Sequence, residues 1–157
     1  MTCVNDAPIA NNDLQTATGT EDTLTLISVL SNDTDVDNAI ASITGLTQPS
    51  TGGTLSISGT QVLYTPTANF CTSSPLTFTY QARDASGSTS NSATGSFVVT
   101  CANDAPVAVN DSDATMRNTA VLVAVLSNDT DVDHTNSDLS INSVTAGTLG
   151  TPTISGT

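Results

Sequence analysis

The sequence has no lysine and no tryptophan, a single histidine, and only two basic residues, Arg83 and Arg117, against 15 acidic ones. Binding nucleic acid or an anionic membrane surface requires Lys and Arg to neutralise phosphate. A net charge of −13 sets both aside. Ser–His–Asp catalysis needs a positioned histidine, and the lone His134 falls in a polar stretch that reads as a solvated loop. A phosphate-binding glycine loop and a metalloprotease motif are missing too. So is any apolar run long enough to cross a bilayer, so membrane insertion is not expected. The absence of lysine also excludes Lys–Asn isopeptide cross-links. Carboxylates are plentiful, but they fall in a repeated loop motif without the apolar cleft of a glycosidase. No enzyme is expected.

Other shortages describe the core. Three Phe and two Tyr are the only aromatics, so Val, Leu and Ile must supply most of it. Apolar spacing of three and four never persists over ten residues, and helices should be nearly absent. Three cysteines, Cys3, Cys71 and Cys101, contain no C-x-x-C pair and do not fit a zinc site. Met1–Asp6 lack the charged and apolar regions of a signal peptide, so a secreted parent would carry its signal upstream.

What the sequence does contain is a repeat. CVNDAPIANND at 3–13 returns as CANDAPVAVND at 101–111, an offset of 98. VLSNDTDVD at 29–37 returns unchanged at 125–133, an offset of 96, and ISGT at 57–60 returns at 154–157. Small changes of offset are what loop insertions and deletions produce. One complete repeat is expected over residues 4–101 and the N-terminal part of a second, truncated repeat over 102–157. The chain is thus expected to be an excerpt from a longer array, with Met1 an artificial start.

Within the first repeat, alternation and turn residues predict strands at about 8–16, 22–30, 39–46, 53–58, 60–65, 76–83 and 94–101. Leu76 to Arg83 alternates strictly between apolar and polar. Seven short strands in under a hundred residues predict an all-β fold, an immunoglobulin-like Greek-key β-sandwich in tandem. The second stretch would hold the first four strands and leave sheet edges exposed.

NDAP followed by ND, then Glu21-Asp22-Thr23, VLSNDTDVD, Tyr64-Thr65-Pro66, Asn69-Phe70 and FTYQARDASG together resemble the bacterial cadherin-like repeats of large surface and secreted adhesins. The likeness covers the first repeat throughout and the second as far as it runs. It implies a seven-stranded sandwich strung end to end, with calcium often held near the junctions. Two departures stand out: Cys71 occupies a place where a small residue is usual, and Arg117-Asn118-Thr119 replaces the Glu21-Asp22-Thr23 element.

Ten acidic residues recur in both copies: Asp6, Asp13, Asp33, Asp35 and Asp37, and Asp104, Asp111, Asp129, Asp131 and Asp133. Tracing a sandwich brings Asn5, Asp6, Asp33, Asp35, Asp37 and Asp84 to the N-terminal tip. Glu21 and Asp22 fall at the other tip, where they are expected to share a junction site with Asn103, Asp104, Asp129, Asp131 and Asp133. Two like charges ~4 Å apart repel by roughly 1 kcal/mol in bulk water and about 4 kcal/mol near a protein surface. A calcium ion, with six to eight oxygen ligands, relieves that. The same residue types also form bare loops by bonding their own backbone in Asx turns. Asp33-x-Asp35-x-Asp37 resembles the first half of an EF-hand loop but lacks its later Gly and Glu.

Cys71 and Cys101 lie fifteen residues either side of Ser86, so a symmetric hairpin sets them opposite each other, where a disulfide is expected. That register leaves Phe97 on the face away from Phe78 and Tyr80 unless a bulge near Gly95 intervenes. A bridge implies an oxidising, extracellular or cell-surface compartment, and Cys3 is left free or pairs with another chain. The expected function is a structural spacer or adhesion repeat of a bacterial surface protein, partnered by neighbouring repeats and stiffened by calcium. Two alternatives stand beside it: a filament subunit completed by strand exchange with another copy of itself, and a glycan- or protein-binding module.

Overall fold

A computed structural model describes residues 4–155, so Cys3 lies outside the described residues. The chain forms two compact units, Met1–Ala102 and Asn103–Thr157.

The first unit is a two-sheet sandwich. Its strands are β1 (Asp13–Thr20), β2 (Thr25–Ile27), β3 (Ile40–Thr44), β4 (Gly53–Ser58), β5 (Gln61–Pro66), β6 (Thr72–Asp84) and β7 (Ala93–Thr100). One sheet has the order β1-β7-β6-β3 and the other β2-β5-β4. β1 runs parallel to β7, whereas the remaining pairs are antiparallel. The chain changes sheets between β1 and β2, β2 and β3, β3 and β4, and β5 and β6, the crossing between layers expected of an immunoglobulin-like sandwich.

Alternation sets the core. Along β6, Leu76, Phe78, Tyr80, Ala82 and Asp84 are buried while Thr77 and Arg83 face solvent. They meet Val62 and Tyr64 of β5, Ile27 of β2, and Phe97 and Val99 of β7. The Tyr64 and Phe97 rings lie 4.6 Å apart at 60°, a tilted geometry that suits aromatic quadrupoles.

Three expectations need correction. The first strand begins at Asp13, not near residue 8, because residues 9–12 bond chiefly to loops; Ile9 makes only an isolated bridge to Thr34. The β6–β7 register pairs Phe78 with Gly95 and Leu76 with Phe97, so Phe97 shares the face of Phe78 and Tyr80. The irregularity that allows this lies between Thr72 and Leu76, not at Gly95. Gly95 is needed for another reason: a Cβ there would sit 2.3 Å from the Phe78 ring.

The second unit was expected to hold four strands. Its described residues contain none, only a bridge between Val107 and Thr130 and a short 3-10 turn at Asn136–Asp138. In the first unit the outer strands β1 and β3 pair with β7 and β6, and residues 103–157 repeat only the portion that precedes those partners. Without them the backbone has no ladder to join.

Candidate functional site

The carboxylates at the N-terminal tip of the first unit are held by a loop that folds on itself. Asp35 Oδ1 accepts from the backbone N–H of Asp37 at 2.8 Å and of Asn38 at 2.6 Å. This is the Asx turn expected of a short acidic side chain. Asp37 Oδ2 then accepts from the N–H of Asp6 at 2.9 Å, tying the loop to the incoming chain. Asn5 donates to Asp84 Oδ2 at 2.8 Å and to the Ser88 hydroxyl at 2.9 Å, while its carbonyl oxygen accepts from Asn38. Asp84 closes its own turn by accepting from Gly87 and Ser88 N–H groups at 2.6 and 2.8 Å. The Asn5 amide and these backbone donors hold its carboxyl below the ordinary value near 3.8.

Asn5, Asp6, Asp35, Asp37 and Asp84 are therefore linked at one end. Asp35 Oδ2 is buried and has no hydrogen-bond partner. A buried carboxylate oxygen without a donor is costly unless a cation reaches it. The set is all oxygen, the kind of ligand that calcium takes.

Asp33 stands apart from this group. Its Oδ1 accepts from Asn11 N–H at 2.8 Å and lies 3.2 Å from the Tyr80 hydroxyl. Tyr80 also reaches the buried Asp13 at 2.7 Å. Burial raises both carboxyls, with Asn11 and Tyr80 working against it at Asp33, and Tyr80 opposing and the Asp33 charge adding at Asp13. Burial and the two neighbouring carboxylates push the Tyr80 phenol upward.

The second unit repeats the tip in detail. Asp133 and His134 N–H groups donate to Asp131 Oδ1 at 2.9 and 3.0 Å, and Asp104 N–H donates to Asp133 Oδ2 at 2.6 Å. Asp129 Oδ1 accepts from Val109 N–H at 2.8 Å, as Asp33 does from Asn11. Asp104 Oδ2 is buried without a partner, and Asn103 bonds the Asp104 carbonyl at 2.9 Å. His134, read from sequence as a solvated residue, occupies the place of Asn38 and lies 3.2 Å from Asp131. The Asp131, Asp133 and His134 ligand atoms fall within 4.8 Å of one another.

At the other end of the first unit, Glu21 is buried and its Oε1 accepts from Ala102 N–H at 2.7 Å. Asp22, at a positive φ of 59°, accepts from Asn69 N–H at 3.0 Å. Both carboxylates thus have work within the fold. A disulfide joins Cys71 and Cys101, their Cα atoms 4.9 Å apart, so neither sulfur is available to a metal beside Glu21.

Sequence reasoning did not assign Asp13, Tyr80, Ser88 or Asn38 to a site. Asp13 carried one signal, its recurrence as Asp111, but Tyr80 reads simply as core.

A family model described as a bacterial Ig domain matches residues 5–100 and again 103–157. The match is to that broader kind, not to cadherin-like repeats in particular. No curated protein and no solved structure matches the chain.

Proposed function

The chain belongs to the bacterial Ig domain family, and we propose that it serves as a non-catalytic spacer repeat of an extracellular or cell-surface protein, stiffened by calcium. Domains of this family are structural modules found in bacterial surface proteins. No described helix is long and apolar enough to cross a membrane.

The unpartnered Asp35 Oδ2 carries the calcium part of this reading; the second unit has a buried unpartnered oxygen at its tip as well, Asp104 Oδ2, at the position of Asp6. In the first unit Asn5, Asp6, Asp35, Asp37 and Asp84 would hold the ion; in the second, Asn103, Asp104, Asp131 and Asp133 would. Bound calcium supplies positive charge to a loop that has none of its own. The chain's residues do the rest: Asp35 and Asp37 fix the loop, and Asp6 and Asn5 fasten it to the incoming chain. A stiff entry point suits a rod better than a ligand-binding tip. Phe78, Phe97, Tyr64 and Tyr80 are buried and Phe70 is partly so, leaving no fully exposed aromatic for stacking on a sugar.

Thermal unfolding of the whole chain, without reductant, with calcium and with excess chelator, tests this. A ligand that binds only the native state at a hundred times its Kd stabilises by about 2.7 kcal/mol, so the melting temperature should rise by several degrees. Replacing Asp35→Asn and Asp37→Asn together should shrink that rise. Superimposable curves after confirmed removal of calcium would leave the aspartates as turn-formers and end the calcium mechanism.

A further inference from the structure

Tyr80 places one hydroxyl among five oxygens. Asp13 Oδ2 and the Val29 carbonyl each lie 2.7 Å from it, and the Asn11 carbonyl lies 2.9 Å away. The two Asp33 oxygens follow at 3.2 and 3.3 Å. All five are acceptors, and a phenol carries a single proton. At most one of these contacts is a hydrogen bond donated by Tyr80; the others set lone pair against lone pair.

The shortfall is deepest at Asp13, which is only 3% exposed. Among the described residues, nothing but the Tyr80 hydroxyl donates to its carboxylate, and nothing donates to its Oδ1. A buried carboxylate in that position carries a large desolvation penalty. Among the described residues, no basic side chain is paired with it. Arg83 is the only basic residue of this unit, and its Nε is committed to the Gly87 carbonyl at 3.1 Å.

We propose that Asp13, Asp33 and the carbonyls of Asn11 and Val29 form an interior calcium site against the Tyr80 hydroxyl, separate from the tip loop. The donor set is hard and oxygen-only, with two carboxylates and two backbone carbonyls and neither nitrogen nor sulfur. That favours calcium over zinc, and its irregular mixture of donors suits calcium better than the strict octahedron of magnesium. The ligands come from the entry to β1, the segment after β2 and the middle of β6, so an ion there would bind three parts of the sandwich together. The second unit repeats part of the arrangement: Asp129 is 8% exposed, takes the same backbone donor, and lines a cavity with Asp111.

Terbium is the probe, since it replaces calcium and its emission is sensitised only by an aromatic ring close by. The full chain contains two tyrosines, and the Tyr64 hydroxyl is engaged elsewhere, with the Gly52 carbonyl. Tyrosine excitation should give saturable terbium emission that calcium competes away. Asp13→Asn should lose it, whereas the tip variant Asp37→Asn should keep it. Should Asp13→Asn fail to fold, Tyr80→Phe retains both carboxylates; it should keep calcium binding by calorimetry while losing the tyrosine-sensitised emission. Terbium that binds without sensitised emission would overturn the site. So would emission lost on Asp37→Asn but kept on Asp13→Asn, or an infrared band of a protonated carboxyl that persists at neutral pH in saturating calcium.

Discussion

The side-chain amide of Asn5 lies 2.8 Å from Oδ2 of Asp84, joining residues 79 positions apart. The contact clamps the entering chain to the β6–β7 turn, and it is the largest influence holding the Asp84 carboxyl below its ordinary value. Asn5→Ala should therefore move the Asp84 titration back upward toward 3.8, as followed by carboxyl NMR. It should also cost a few degrees of melting temperature. An Asp84 titration that stays put would mean the backbone donors alone set it.

Gly95 faces Phe78 across the β6–β7 pairing. A Cβ at this position would lie 2.3 Å from the ring, inside van der Waals contact. Gly95→Ala should destabilise the first unit by about 1–3 kcal/mol through overpacking, measured by denaturant unfolding. Phe78→Leu in the same chain should recover part of that loss, because the substitution withdraws the ring.

Glu21 shows how a candidate ligand can have a structural use. It is 2% exposed and accepts the Ala102 N–H at 2.7 Å. Glu21→Ala should leave that amide unpaired at a cost of about 1–3 kcal/mol. Hydrogen exchange at Ala102 should accelerate, and chelator should not alter the size of the effect.

Seven strands were legible because β6 alternates without a break and because Pro, Gly, Asn and Asp mark the turns. The tip was legible for a similar reason: an Asp-x-Asp-x-Asp loop beside a repeated Asn-Asp pair has few other places to go. Tyr80 was not, since an alternating strand says which face a residue takes and not what waits there for its hydroxyl. Adjacency within the loop groups Asp33 with Asp35, whereas the backbone N–H of Asn11 holds Asp33 apart from it. The start of β1 was misplaced for a related reason. Ala10 has good strand neighbours, but its backbone bonds to the Asn91 side chain rather than to a strand.

The Cys71–Cys101 bridge closes a separation of 30 residues between the start of β6 and the residue just after β7. A loop of this order is worth about 3 kcal/mol through the unfolded state. Reduction should lower the melting temperature by roughly 10–20 °C for a domain of about a hundred residues. The Cys71→Ser, Cys101→Ser double variant should match the reduced protein and no longer respond to reductant.

Acid should act in two opposite steps when calcium is absent. The native carboxyls of Asp13 and Asp33 are raised above 3.8, mainly by burial, so the folded state binds their protons before the unfolded state does. Stability linked to them grows as pH falls through the raised native values and is complete below 3.8. Asp84 is shifted the other way, chiefly by Asn5, and its contribution is present above 3.8 and lost as pH falls through its lowered native value. A chelated sample should therefore gain thermal stability on mild acidification from neutral, pass through a maximum, and lose it below 3.8. Saturating calcium should abolish the gain, because an ion between Asp13 and Asp33 removes the reason to take up a proton there. Asp13→Asn should shrink the gain to the part that the burial of Asp33 supplies. A chelated chain that only loses stability from neutral pH downward would show that Asp13 and Asp33 carry their charge comfortably without a cation.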